Sequence, residues 1–170
     1  MDHFDVCCEI LRSIALMSFR FRPKTDDPVE QGLQLSKAFE QLSEDERHQI
    51  LSLIQPSLAM KLLALSGFMA EAAINNKDIS LIRSAIIMHV LENFQNDYRE
   101  NIRYLVLVAF AIKKLGIDFH SITSTVLPLA SDRAKNSLIN FSGRVDDLNN
   151  LSSFGIREEI VEGTFRFIPI

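Results

Sequence analysis

Tryptophan is absent from this chain of 170 residues, cysteine occurs only as the adjacent pair Cys7-Cys8, and there are six glycines and five prolines. Each scarcity excludes something. Neighbouring cysteines bridge each other only with strained geometry, and a disulfide-stapled secreted scaffold needs more of them. The pair is read as reduced and buried, which suits a cytoplasmic protein. The glycines are isolated, so there is no phosphate-cradling loop, no dinucleotide fingerprint and no serine elbow. No long apolar run is present either. Lys61 and Glu71 interrupt the stretch from Leu58 to Ile74, and Ile102 to Ile112 is too short to cross a bilayer. The start, Met1-Asp2-His3-Phe4-Asp5, is acidic and leads into no continuous apolar segment, so no secretory signal is expected. Positive charge is not in excess: the net charge is −4 and the isoelectric point about 5.6. The basic residues stand singly or in pairs, and neither nucleic acid nor a membrane surface is an expected partner.

What the chain does have is apolar residues, 47% of the total, and a mean hydropathy of +0.10 despite 24% charged residues. That excess must enter a dense core, an oligomer contact or a partner surface. The length suits one domain spanning residues 1–170.

Helix boundaries are written plainly. Asp2 with Asp5 can cap a first helix that fades near Ser18, with Phe4, Cys7, Cys8, Leu11, Ile14 and Ala15 on one face. The segment from Phe19 to Pro28 carries two prolines and reads as a loop. A second helix is predicted from Val29 to Gln41. Ser43-Glu44-Asp45-Glu46 is a capping box for a third, ending near Gln55-Pro56. Pro56 opens a fourth to about Ile74, in which Gly67 implies close packing. Asp78 caps a helix from Ile79 to about Phe94. The next is capped by Asp97 and Glu100 and closed by Lys113-Lys114-Leu115-Gly116. Its middle, from Ile102 to Ile112, is apolar nearly all round, so it is expected to be the buried central member. A helix from Asp118 is cut short or kinked by Pro128, Ser131-Asp132 caps another to Phe141, and Asp146 to Leu151 can form one more turn. Residues 163–170 alternate in polarity and read as an extended tail lying against the helices. The predicted fold is all-α, with about eight helices and little or no sheet. It is either an irregular bundle or a short stack of helix pairs.

The wording Tyr98-Arg99-Glu100-Asn101-Ile102-Arg103-Tyr104-Leu105, followed by Ala111-Ile112-Lys113-Lys114-Leu115-Gly116-Ile117-Asp118, resembles a segment of small all-helical bacterial proteins built like short HEAT-type stacks. Some proteins of that kind are proposed immunity partners of secreted toxins. The resemblance covers about twenty residues and implies a helical interaction protein; it carries no catalytic signature.

Reactive chemistry is thin. His3, His48, His89 and His120 fall on different elements, no pair has the helical spacing of a metal site, and no Glu has a His three positions later. Asp2, Asp5 and Glu9 around Cys7 and Cys8 oppose a thiolate. His89, among Ile86, Ile87, Met88 and Val90, reads as a core histidine bonded to a carbonyl or carboxylate. No catalytic, cofactor-binding or metal-ligating residue is assigned.

Two constellations remain as candidate partner contacts. Phe19, Arg20, Phe21 and Arg22 are of the types enriched in interface hot spots, although they equally make a connector whose phenylalanines cover the core. Glu92, Asp97, Arg99, Glu100 and Arg103 crowd one turn, as a polar patch at a groove mouth or as plain capping and ion pairs. The leading expectation is a non-enzymatic protein-interaction module of immunity or adaptor type, with homodimerisation compatible. The alternatives are a small-molecule sensor or carrier with an apolar pocket between helices, and a helical enzyme without a recognisable motif.

Overall fold

The computed structural model describes residues 27–53, 56–93, 98–142 and 151–169. The first predicted helix, the Cys7-Cys8 pair, the Phe19 loop as far as residue 26, the Asp97 cap and the turn from Asp146 to residue 150 lie outside the described residues.

Among the described residues there are seven α-helices: α1 (Pro28–Glu40), α2 (Glu44–Leu53), α3 (Pro56–Asn76), α4 (Ile79–Glu92), α5 (Tyr98–Lys114), α6 (Phe119–Ser124) and α7 (Asp132–Ser142). Short 3-10 turns at Leu127–Leu129 and Leu151–Phe154 follow α6 and α7, and a two-stranded antiparallel hairpin ends the chain, β1 (Ile156–Val161) and β2 (Thr164–Pro169). The fold is all-α with an extended C-terminal region.

Local chemistry sets the helix starts. The Asp27 carboxylate accepts from the Val29 N–H at 3.1 Å, with Pro28 at the first helical position. In the capping box, Ser43 Oγ accepts from the Glu46 N–H at 3.2 Å while Glu46 Oε1 accepts from the Ser43 N–H at 3.3 Å. The Asp78 carboxylate accepts from the Ser80 N–H, the Asp118 carboxylate from the Ser121 N–H, and Ser131 Oγ from the Ala134 N–H. Gly116 closes α5 in the left-handed conformation at φ 70°, as its position predicts. Pro128 sits in the 3-10 turn after α6, so that helix ends four residues before it.

The core is centred on α3 and α4, which a two-residue turn at Lys77 and Asp78 folds against each other. α1 packs across both, and α5 lies against both from another side. Among the described helices the most enclosed is α4, not α5. Every α4 residue from Leu81 to Glu92 is buried except Arg83. In α5, residues Leu105 to Ala109, Ala111 and Ile112 are buried, whereas Arg103, Tyr104 and Phe110 are half-exposed. This corrects the expectation that α5 is the enclosed central member. The physical reason is that α5's outer face meets strand β2 at one end and no helix: the Phe110 ring stacks on Phe165 at 6.1 Å and meets Phe167 edge-on at 5.8 Å.

Polar links tie α4 to its neighbours. Ser36 Oγ donates to Ser84 Oγ at 2.9 Å, tying α1 to α4 inside the buried region. Arg83 pairs with Glu40 of α1 and donates to the Thr125 hydroxyl (3.1 Å) and carbonyl (3.3 Å) beyond α6, so one guanidinium joins three segments.

The predicted tail is one half of the hairpin. Glu162 (φ 52°) and Gly163 (φ 78°) occupy the two central turn positions, both left-handed, as a tight type I′ hairpin requires. β2 is held by α3. The Asn75 side chain accepts from the Phe165 N–H (2.8 Å) and donates to the Phe165 carbonyl (3.1 Å), and Glu71 Oε1 accepts from the Phe167 N–H (2.7 Å). The Lys114 ammonium lies over the Phe165 ring at 5.1 Å and pairs with Glu158 at 3.3 Å.

Candidate functional site

An open concavity formed by described residues runs between α3, α5 and the hairpin, with a volume of about 450 Å³. Its α3 wall is the helical stripe Ala64, Gly67, Phe68 and Glu71, spaced to share one face. Its α5 wall is Arg103, Tyr104 and Leu107, spaced likewise, and Ile156, Phe167 and Pro169 close the far end. The approach of the two helices does not depend on the missing side chain of Gly67: a methyl group there would stand 3.5 Å from Tyr104 Cδ1 and 3.6 Å from Leu107 Cδ1, in ordinary contact. The floor is therefore apolar and well packed, while the rim is aromatic.

Phe68 is the feature that marks this groove. It is 41% exposed, one of few large apolar side chains in the described residues left to solvent. The groove carries both signs of charge but not equally free. Glu71 already accepts the Phe167 N–H, whereas the half-buried Arg103 guanidinium has no carboxylate partner among the described residues. Chemically the groove can hold an apolar or aromatic group against Phe68, Tyr104 and Phe167 while Arg103 takes an acidic or carbonyl group.

A smaller hollow of about 150 Å³ lies among Glu44, Arg47, His48, Leu51, Asp132 and Lys135 and the segment from Pro128 to Ser131. Its charges are mixed and partly engaged with one another, as in the exposed His48–Glu44 pair at 3.8 Å, and Arg47 donates to the Leu42 carbonyl at 2.6 Å.

The predicted contact residues divide. Phe19, Arg20, Phe21, Arg22 and Asp97 lie outside the described residues; Arg99 and Glu100 lie in the first turn of α5, where only the backbone is described. Arg103 lines the groove. Glu92, grouped with it in the sequence, is instead fully buried and accepts from Asn101 Nδ2 at 2.8 Å, which places it in the core packing between α4 and α5. Phe68, Tyr104, Leu107 and Phe167 were not anticipated as a site. The available signal was the Ala64-Gly67-Phe68-Glu71 stripe, a small-residue face with an aromatic at its edge.

His89 is a core histidine, as its neighbours predict, but the expected carbonyl or carboxylate partner is missing: neither ring nitrogen has a hydrogen-bond partner among the described residues. Burial pushes its pKa from 6.5 down to about 3, so the ring is neutral. It does not line the groove. Among the described residues no group of three or more His, Cys, Asp or Glu is placed to hold a metal ion, and no helix is long and apolar enough to cross a membrane.

Compared with family models, curated proteins and solved structures, the chain matches none.

Proposed function

We propose that this chain is a non-enzymatic protein-interaction module and that the groove between α3, α5 and the hairpin receives its partner. The observation that carries the reading is Phe68, exposed beside an apolar floor and facing across a groove whose Arg103 guanidinium has no carboxylate partner among the described residues. Exposed aromatic and arginine side chains around a packed apolar floor are the usual ingredients of a contact hot spot. The matching partner is a protein segment that offers an apolar side chain next to an acidic one. An immunity or adaptor role in the cytoplasm is the biological form to which the likeness to short HEAT-type stacks points.

The test is affinity capture from the native cell with the wild-type chain and with Phe68→Asp and Arg103→Glu variants, after circular dichroism establishes equal helicity. A stoichiometric protein that binds the wild type and is lost from both variants supports the reading. Recovery of no such protein, or equal recovery by all three chains, overturns it.

A second reading is favoured by the volume alone. A groove of about 450 Å³ falls in the range of roughly 300–1,000 Å³ that small-molecule sites occupy. A small-molecule carrier would show an added ligand mass in native mass spectrometry of the chain purified from its own cell. The bare chain mass alone would count against it.

A further inference from the structure

The two edges of the hairpin are not equivalent. On β2 the backbone groups of Phe165 and Phe167 point away from β1; the Asn75 side chain engages both groups of Phe165, and Glu71 accepts from the Phe167 N–H. Because these residues face Ile160 and Glu158 directly, both positions are non-hydrogen-bonded pairs of the ladder. The N–H and C=O groups of Ile156, Glu158 and Ile160 therefore point outward from β1. Among the described residues no backbone group meets them. Every residue of β1 from Arg157 to Val161 is exposed, on both faces, and Ile160 is 73% exposed. Among the described residues this edge pairs with no other strand.

An open edge is a template for another strand. The sequence of this one is complementary to itself. If a second copy of β1 runs antiparallel to the first about a two-fold axis at Glu158, the outward-pointing residues pair as Ile156 with the partner's Ile160 and Glu158 with its own counterpart. Arg157 then stands opposite the partner's Glu159, and Glu159 opposite the partner's Arg157, in exchange for the exposed pair that the two make within one strand at 3.2 Å. Two opposite-charge pairs and two aliphatic pairs result from one register. A slip by two residues in either direction sets Arg157 against Arg157 or Glu159 against Glu159. The single like-charge meeting in the favoured register, Glu158 with Glu158, lies on the face where Lys114 already pairs with that carboxylate.

We propose that the free edge of β1 pairs with the β1 edge of a second copy of this chain, giving a two-fold dimer with a continuous four-stranded antiparallel sheet. The interface is independent of the groove reading: either can fail without the other. It is small, so the dimer is weak and concentration-dependent.

Sedimentation of the full chain from low micromolar to near millimolar concentration provides the test. The wild type is expected to move from one chain mass, 19.3 kDa, toward twice that value. Glu158→Pro removes an outward N–H and the exposed pair with Lys114 but no bond of the internal ladder, so the hairpin survives and the mass stays at one chain throughout. Arg157→Glu and Glu159→Arg each place like charges opposite each other and are expected to remain at one chain mass. An equimolar mixture of these two variants restores both opposite-charge pairs and associates again, a result that a folding defect cannot produce. A wild type that keeps the single-chain mass over the whole range overturns the proposal. So does association that Glu158→Pro leaves unchanged, or a mixture that associates no better than its components.

Discussion

Helices α4 and α5 are both dominated by aliphatic residues, yet they do opposite things. α4 is enclosed by α1, α3, α5 and the α6 segment; Ser84 bonds to Ser36, Arg83 to Glu40 and Thr125, and Glu92 to Asn101, while His89 is buried with no partner among the described residues. α5 is buried over its middle, but its outer stripe of Arg103, Tyr104 and Leu107 borders open space and Phe110 faces a two-stranded hairpin. Apolar content alone does not separate a structural helix from one that presents a surface. What separates them is the covering element. A helix that packs on a helix is sealed along its length, whereas a hairpin docked at one end leaves the rest of the stripe as a groove.

Breaking the enclosed helix is expected to have the largest effect. Ile86 is fully buried in α4, and Ile86→Ala removes core contacts worth about 2–5 kcal/mol, read as a lowered midpoint in urea unfolding. Tyr104→Ala on α5 is expected to cost clearly less in the same measurement, because that side chain is half-exposed. Equal losses would dissolve the contrast between the two helices.

Acid should also strike α4 first. The His89 pKa is about 3 when folded and 6.5 in the unfolded chain. Between those values the unfolded state binds the extra proton, so stability is fully present above pH 6.5 and is lost as pH falls toward 3. The slope is up to about 1.4 kcal/mol per pH unit. His89→Leu removes the unpartnered ring and is expected to flatten this limb of the stability–pH curve, with neutral-pH stability kept or raised. Parallel curves for the two chains would show that His89 is not protonated on unfolding in that range.

Smaller effects follow outside the buried face. Arg83→Ala severs three segments at once but from a side chain that is partly in water, and is expected to cost about 1–2 kcal/mol, measured by the same unfolding. Gly67→Ala adds a methyl at ordinary contact distance from Tyr104 and Leu107. It should stabilise α3 by up to about 1 kcal/mol, seen as a slightly raised thermal midpoint. A marked loss there would mean that the groove floor tolerates no added bulk.

The helix starts were legible because capping is local. Ser43 with Glu46, Asp78, Asp118 and Ser131 each carry their hydrogen-bond partner within three residues. Strand β2 was legible as an extended segment because Phe165 and Phe167 alternate with polar residues. β1 was not. Arg157-Glu158-Glu159 puts charge on both faces, so the strand has no period of two to read. The groove was hidden for a different reason: its walls come from residues 64–71, 103–107 and 156–169, and only their assembly creates it. His89 shows the converse limit. Burial could be read from its neighbours, but whether a partner reaches the ring is a fact of packing.

Asn75 has a consequence for the order of assembly. One amide at the end of α3 holds both backbone groups of Phe165, ninety residues further along the chain. That clasp can form only after the last turn of α3 exists, and closing so long a loop is slow compared with pairing neighbouring helices. Docking of the hairpin on α3 is thus expected to come late in folding. The amide protons of Phe165 and Phe167 should exchange with solvent together, in a single local opening, while those of α4 wait for global unfolding.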